Sequence, residues 1–256
     1  MTNTPFSPTN YRAAPDLLKN KVILVSGAGD GIGRAAAESY AAHGATVILL
    51  GRTQEKLEAV YDAIEAAGHP QAAVAPMDLA SASEGQCEEL AGMISDSFGR
   101  LDGLLNNASI LGERRPIENT TYKAWQEVMQ INVNGQFLLT RYMLPLLQTA
   151  PSASIVFTSS GVGRRGRAYW GAYATAKFAT EGLMQVLAAE LENTSQVRCN
   201  SLNPGATNTA MRRSAYPAEH PDTNPIPADI MPAYLYLMGN DSKNVHGQAL
   251  NAQQAN

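Results

Sequence analysis

Tyr173, Lys177 and Ser160 are the residues whose types and spacing could do redox chemistry on a carbonyl. Tyr173-Ala-Thr-Ala-Lys177 sets a phenol and an ammonium one helical turn apart, on one face. Upstream, Ser160 closes the apolar run Ser154-Ile155-Val156-Phe157-Thr158-Ser159, which reads as a buried strand. Reducing a carbonyl takes a proton donor for the developing alkoxide and a hydroxyl to hold the carbonyl oxygen. It also takes a cation that makes a phenol acidic enough near neutral pH. A Tyr–Lys pair also occurs on ordinary solvated helix faces, so this one acquires meaning only from its company.

That company lies near the N-terminus. Asn20-Lys21-Val22-Ile23-Leu24-Val25-Ser26 reads as a buried strand and runs into Gly27-Ala28-Gly29-Asp30-Gly31-Ile32-Gly33. An alanine-rich helix follows from Arg34 to His43. Gly27 can make the tight turn, Gly31 lets backbone amides approach a pyrophosphate, and Gly33 permits close helix–strand packing, with the anion at the helix N-terminus. The spacing is G-x-x-x-G-x-G, not the commoner G-x-G-x-x-G. Alone, such a cluster is often just a loop; between strand and helix in a βαβ unit it is a phosphate cradle.

Strand and helix patterns alternate along the rest of the chain, which predicts an α/β domain with a doubly wound parallel sheet of about seven strands and helices on both faces. Strands are expected at 45–50, 72–77, 101–105, 154–160, 197–202 and 248–251. Helices are expected at 54–67, 83–98, 122–147, 172–192 and 229–238, with Pro145 kinking or shortening the third of these. Residues 1–15 are polar and proline-bearing and read as a flexible extension; 16–256 read as one Rossmann-like domain. The stretch from Ala206 to Pro227, with Pro217, Pro221, Pro225 and Pro227, suggests a mobile lid.

At 256 residues, 45% apolar and 16% charged, the chain suffices for one domain with a substantial core. A net charge of −4 leaves no basic footprint for nucleic acid, and no basic amphipathic stretch suggests a membrane surface. No apolar run has transmembrane length, and no signal-peptide core is present, so a cytoplasmic protein is expected. Cys87 and Cys199 read as small hydrophobes in a reducing compartment. His43, His69, His220 and His246 fall at no metal-ligand spacing, so no metal is expected.

With these residues in place, the chain resembles the short-chain dehydrogenase/reductase superfamily in its core-length, single-domain form, from about Leu17 to Leu250. Within it the chain is similar to the YciK-like bacterial oxidoreductases, in stretches such as Ala45-Thr46-Val47-Ile48-Leu49-Leu50-Gly51-Arg52 and Ala228-Asp229-Ile230-Met231-Pro232. The resemblance implies an NAD(P)(H)-dependent oxidoreductase that interconverts a carbonyl and a secondary alcohol, with Tyr173 as acid/base. It makes Ser160 the residue that positions the oxygen and Lys177 the one that holds the ribose and tunes Tyr173. Asn132, in Ile131-Asn132-Val133-Asn134, becomes the holder of a water in a proton relay. Ser26 stands where threonine is usual. Asp78, with Leu79 beside it, matches the aspartate that contacts the adenine. Asn106-Asn107-Ala108 matches the NNAG turn, with Ser109 as a mild replacement of the last glycine. Pro204, Gly205, Thr207 and Thr209 match the loop that orients the carboxamide. The ending Leu250-Asn251-Ala252-Gln253-Gln254 departs from the usual Asp-Gly-Gly and leaves terminal packing open. A homodimer or homotetramer is implied, with outer helix faces carrying Leu138, Met143 and Leu187.

The end of the second strand bears on NAD against NADP. An acidic residue there would accept from the ribose 2′-hydroxyl and repel a 2′-phosphate. Gly51 occupies that point, followed by Arg52 and Thr53, donors suited to a phosphate, so NADP(H) is favoured. Arg52 could also be only an exposed residue near a helix start, and Asp30 sits where some NADP-dependent relatives carry a base. The cation and the positive nicotinamide of the oxidised cofactor predict that Tyr173 titrates below a free phenol. Ser159 is the alternative serine. Arg164, Arg165 and Arg167 either greet an anionic small-molecule substrate or are solvated surface; Tyr169 and Trp170 either line a pocket or pack the segment. The competing readings are an NADP-binding redox sensor without turnover, which need not keep Asn132, Ser160, Tyr173 and Lys177, and a nucleic-acid binder, which the charge balance disfavours.

Overall fold

The computed structural model describes residues 11–254. Seven parallel strands form one sheet in the order β3-β2-β1-β4-β5-β6-β7: β1 Val22–Ser26, β2 Thr46–Gly51, β3 Ala73–Pro76, β4 Gly103–Asn106, β5 Ala153–Thr158, β6 Val197–Asn203 and β7 Ala249–Asn251. Alternation along the strands sorts their side chains into two cores. Ile23, Val25, Val47 and Leu49 pack with α1 (Gly31–Ala42), α2 (Gln54–Ala66) and α8 (Met231–Met238). Leu24, Ile48 and Leu50 pack with α3 (Glu84–Phe98), α5 (Gly135–Gln148) and α6 (Gly171–Leu191). Both faces are thereby covered, which is why the central strands read as unbroken apolar runs. None of the helices among the described residues is long and apolar enough to cross a membrane.

The chain reverses its winding between β1 and β4, so a crevice opens beyond the carboxyl ends of these strands, where ligands bind in open α/β sheets. The elements around it differ from the sequence reading in instructive ways. Helix α1 begins at Gly31, three residues before the expected Arg34, and Asp30 is its N-cap, its Oδ1 accepting from the Gly31 amide at 2.7 Å. The fourth expected helix is interrupted: α4 (Tyr122–Met129) joins α5 through a π-turn at Gln130–Asn134, which carries Asn132. Pro145 does not end α5, which runs on to Gln148. The stretch expected as a lid holds α7 (Ala210–Ala215), capped by the Thr209 hydroxyl on the Arg212 amide at 3.1 Å.

Two packing expectations are corrected. Tyr11, placed in the flexible extension, meets Tyr236 edge-on at 5.2 Å and donates its hydroxyl to Asp241 at 2.8 Å, so the domain begins before residue 16. Residues 1–10 of that extension lie outside the described residues. Met143 and Leu187, expected on outer helix faces, are buried in the second core; the large exposed apolar residues of α5 and α6 are Phe137, Phe178 and Val186.

Candidate active site

Gly27, the first residue after β1, takes a left-handed φ of +70° that turns the chain toward α1. Gly33, one turn into α1, packs so closely that a Cβ there would lie 2.1 Å from the Gly27 carbonyl oxygen. Helix α1 therefore sits directly on the loop, its first amides facing the crevice. Ser26 ties the loop to β4: its hydroxyl donates to the Leu105 carbonyl and accepts from the amides of Asn107 and Ala108 at 2.9 and 3.1 Å. A serine suffices where threonine is usual because only the hydroxyl is used.

The resulting cleft has a volume of about 560 Å³. It brings together Gly27, Asp30, Gly31, Ile32, Arg52, Thr53, Asp78, Leu79, Ala108, Ser160, Tyr173, Lys177, Pro204, Gly205, Thr207 and Thr209. Three anticipated residues lie behind the wall instead. Gly33 is the packing contact just described. Asn106 is fully buried and donates its amide to Thr140 at 2.9 Å, while its neighbour Asn107 faces the cleft. Asn132 is fully buried in the π-turn; it accepts from the Ile110 amide and donates to the Ile110 carbonyl, both at 2.8 Å. Its side chain thus pins the wall that follows Ser109.

The catalytic candidates sit at the base of the cleft. Tyr173 and Lys177 rise from one face of α6, and the Lys177 ammonium lies 5.6 Å from the centre of the Tyr173 ring. Lys177 is fully buried, with Nζ donating to the Thr158 carbonyl at the end of β5 at 2.7 Å. Burial pushes its pKa down to about 8, opposed by the nearby Glu181 carboxylate. Tyr173 was expected to titrate below a free phenol. Burial instead pushes it up to about 12, while hydrogen bonds with the hydroxyls of Ser160 and Ser109 pull the other way. Desolvation outweighs its polar neighbours because the ring is enclosed on all but 8% of its surface.

Ser160 follows β5 and caps a short 3₁₀ turn. Ser159 also lines the cleft, but its hydroxyl donates to Glu181 at 2.6 Å. Glu181 is buried and also accepts from Ser201 on β6 at 2.6 Å and from Arg164 at 3.0 Å. Arg164 further donates to the Leu250 carbonyl and to Asn251, both at 2.9 Å. It is therefore a strap between the active-site loop and β7, neither solvated surface nor a substrate contact.

Several site residues escaped the sequence reading. Ser109 brings a second hydroxyl to the Tyr173 phenol, so its replacement of glycine is more than mild. Lys56 of α2 lines the cleft and pairs with Asp30 at 2.7 Å, holding that carboxyl below its ordinary range and neutralising the acidic group of the glycine loop. Gln253, in the ending that departs from the family pattern, donates to the carbonyls of Pro204 and Ala206, both at 2.8 Å, and braces the loop of Gly205 and Thr207. The departure from NNAG was a usable signal for Ser109. Nothing local marked Lys56 or Gln253, whose partners lie far away in sequence.

Residues 21–220 match the short chain dehydrogenase family. The oxidoreductase YciK of Escherichia coli K12 is 51% identical over 95% of this chain and 96% of its own. A solved short chain dehydrogenase from Pseudomonas syringae is 59% identical and covers 95% of this chain and 99% of its own, with a TM-score of 0.94. A short chain dehydrogenase from Shigella flexneri, solved in complex with NADP, is 51% identical and covers 94% of this chain and 100% of its own, with a TM-score of 0.92. Sequence, topology and cleft thus agree over nearly the whole length, and the chain belongs to the short-chain dehydrogenase/reductase superfamily, within it to the YciK-like oxidoreductases.

Proposed function

We propose that the protein is an NADP(H)-dependent carbonyl reductase acting reversibly as a secondary-alcohol dehydrogenase. The observation that carries this reading is the convergence, in one cleft, of the buried Tyr173 phenol, the buried Lys177 ammonium and the Ser160 hydroxyl on a glycine cradle. The cradle fits a dinucleotide: Gly27 and Gly31, both at positive φ, line it without side chains, and the N-terminus of α1 offers amides to a pyrophosphate. When bound, the cofactor supplies a hydride to the carbonyl carbon, or accepts one from the alcohol carbon. Ser160 and Ser109 donate hydrogen bonds that orient the carbonyl oxygen. As negative charge builds on that oxygen, the Tyr173 O–H bond breaks and its proton passes to the oxygen, leaving a phenolate that the Lys177 ammonium stabilises. Asn132 acts as a positioning residue through Ile110. A screen of aldehydes and ketones, read by the absorbance of the reduced nicotinamide, tests the reading; no turnover of any carbonyl defeats it.

The NADP(H) preference is supported by the NADP complex of the Shigella relative and by the cations at the end of β2. Arg52 and Lys56 both line the cleft there, and Lys56 cancels the charge of Asp30. Charge-assisted hydrogen bonds are worth about 1.5–3 kcal/mol each. Arg52→Ala is therefore expected to weaken NADPH binding about tenfold or more, with NADH nearly unchanged. Calorimetric titration of both cofactors checks this, and equal losses for both sink the assignment.

A dimer or tetramer is supported by the exposed stripe Phe178, Gly182 and Val186 along α6. Light scattering at micromolar concentration is expected to show more than a monomer; monomer alone counts against it.

A further inference from the structure

Three loops meet at the outer mouth of the cleft: 109–115 after β4, 164–170 before α6 and 204–217 after β6. Beyond the cleft, sharing Leu111, Ser214 and Ala215 with it, lies a second hollow of about 520 Å³, lined also by Arg114 and Tyr169. The Arg114 guanidinium lies 4.8 Å from the centre of the Trp170 ring and 4.9 Å from that of Tyr216. Those rings are 5.9 Å apart and tilted by 42°, so both hold the same cation. A long side chain that would otherwise sample many rotamers is thereby fixed before any ligand arrives. On its inner side the Trp170 ring lies 5.8 Å from the ring of Tyr173. One continuous set of neighbours therefore links the guanidinium to the acid–base phenol.

The charges at this mouth do not balance. Arg212, 3.9 Å from the Tyr216 ring, is paired bidentately with Glu219. Glu113, the carboxylate lining the hollow, is paired with Arg115 at 3.0 Å. Arg167 donates to the Tyr216 hydroxyl at 2.8 Å. Among the described residues, neither Arg114 nor Arg167 has a carboxylate partner. A second observation points to a missing acceptor. The indole N–H of Trp170 is buried without a hydrogen-bond partner, although Trp170 lines the cleft and is only 8% exposed. Buried donors are rarely left so in native proteins unless a ligand or water completes them. A third is conformational: Tyr169 holds a left-handed φ of +71°, disfavoured for a bulky residue, and its exposed ring lines the hollow.

We propose that this hollow receives a carboxylate of the substrate, so that the enzyme reduces oxo acids, with the acid seated on Arg114 and the Trp170 N–H while the carbonyl reaches Tyr173. A planar guanidinium matches a carboxylate in shape as well as charge, and Arg167 adds to the local potential. The assignment rests on the carbonyl-reducing reading above.

The test compares 4-acetylbenzoate, its methyl ester and 4-acetylphenyl phosphate with NADPH. The wild-type enzyme is expected to favour the acid over the ester by about tenfold or more in kcat/KM, carried by KM. Arg114→Gln is expected to bring that ratio close to one. An acid-to-ester ratio near one in the wild type, or one that Arg114→Gln leaves in place, overturns the proposal. A phosphate preferred over the acid by about tenfold overturns the carboxylate assignment. If no carbonyl is reduced in the wider screen, the carbonyl-reducing reading fails by itself. Calorimetric binding of 4-acetylbenzoate to the NADPH complex then decides the hollow. Binding at least about tenfold weaker in Arg114→Gln upholds it, and equal or undetectable binding in both proteins overturns it.

Discussion

Tyr173→Phe is expected to lose at least about 10²–10⁴ in kcat while still binding NADPH with near-normal affinity, because a positioned proton donor contributes that much to such a step. The ring makes most of the residue's packing contacts, against Trp170, Ala174 and Ala215, and phenylalanine retains them. Only the hydroxyl that Ser160 and Ser109 engage is removed, so the fold and glycine cradle stay intact. The pH dependence follows from the pKa of about 12. Near neutral pH the phenol keeps its proton and is ready to donate, which suits reduction. Oxidation needs the phenolate, whose fraction grows with pH, so the oxidative rate of the wild type should climb from neutral pH to about 8, where loss of the Lys177 proton begins to oppose the gain. Steady-state kinetics in both directions check this on any accepted carbonyl. A Tyr173→Phe enzyme that keeps most of its turnover overturns the mechanism; an oxidative plateau below about pH 7 would show that bound cofactor outweighs burial.

How much of this site was legible in the sequence depends on how far apart its partners lie. The Tyr173–Lys177 pair follows from helical spacing, and the glycine loop from the strand and helix that flank it. The seven strands follow from apolar runs that a doubly covered sheet requires. Element ends were less legible. Helix α1 absorbs the last glycines of the loop because the Asp30 carboxylate caps it there, and propensity alone does not foresee a glycine first turn. The π-turn at Asn132 was invisible because its cause is tertiary: the Asn132 amide reaches across to the Ile110 backbone. Lys56 on Asp30, Gln253 on the Pro204 loop and Arg114 between two rings are likewise meetings of segments distant in sequence. No periodicity reports them. The sign of the Tyr173 shift belongs to the same class, since burial is a property of the packed site.

Lys177→Met is expected to abolish most turnover, by about 10² or more, and yet to make the protein more stable at neutral pH by about 1–3 kcal/mol. Both effects follow from one burial. The Lys177 ammonium has no exposed surface, and a backbone carbonyl is its hydrogen-bond partner at 2.7 Å. Its pKa falls from an ordinary 10.5 to about 8 because folding disfavours the charged form. Below about pH 8 the group is charged in both folded and unfolded chains, and enclosing that charge costs about 3 kcal/mol at most. Between about 8 and 10.5 the folded protein sheds the proton that the unfolded chain retains, so this group makes wild-type stability rise with pH across that window. Methionine keeps an unbranched stem of similar volume and removes the charge, so its advantage should be full at pH 7 and shrink as pH passes 8 toward 10.5. The loss of turnover has a separate origin: without the ammonium no cation among the described residues faces the Tyr173 ring, and the phenolate formed on proton transfer is left unsupported. Urea denaturation of both proteins at several pH values, alongside steady-state kinetics, measures the two effects independently. A Lys177→Met protein less stable than wild type at pH 7 would show that the bond to Thr158 outweighs the buried charge. One that keeps its turnover would remove Lys177 from the chemistry.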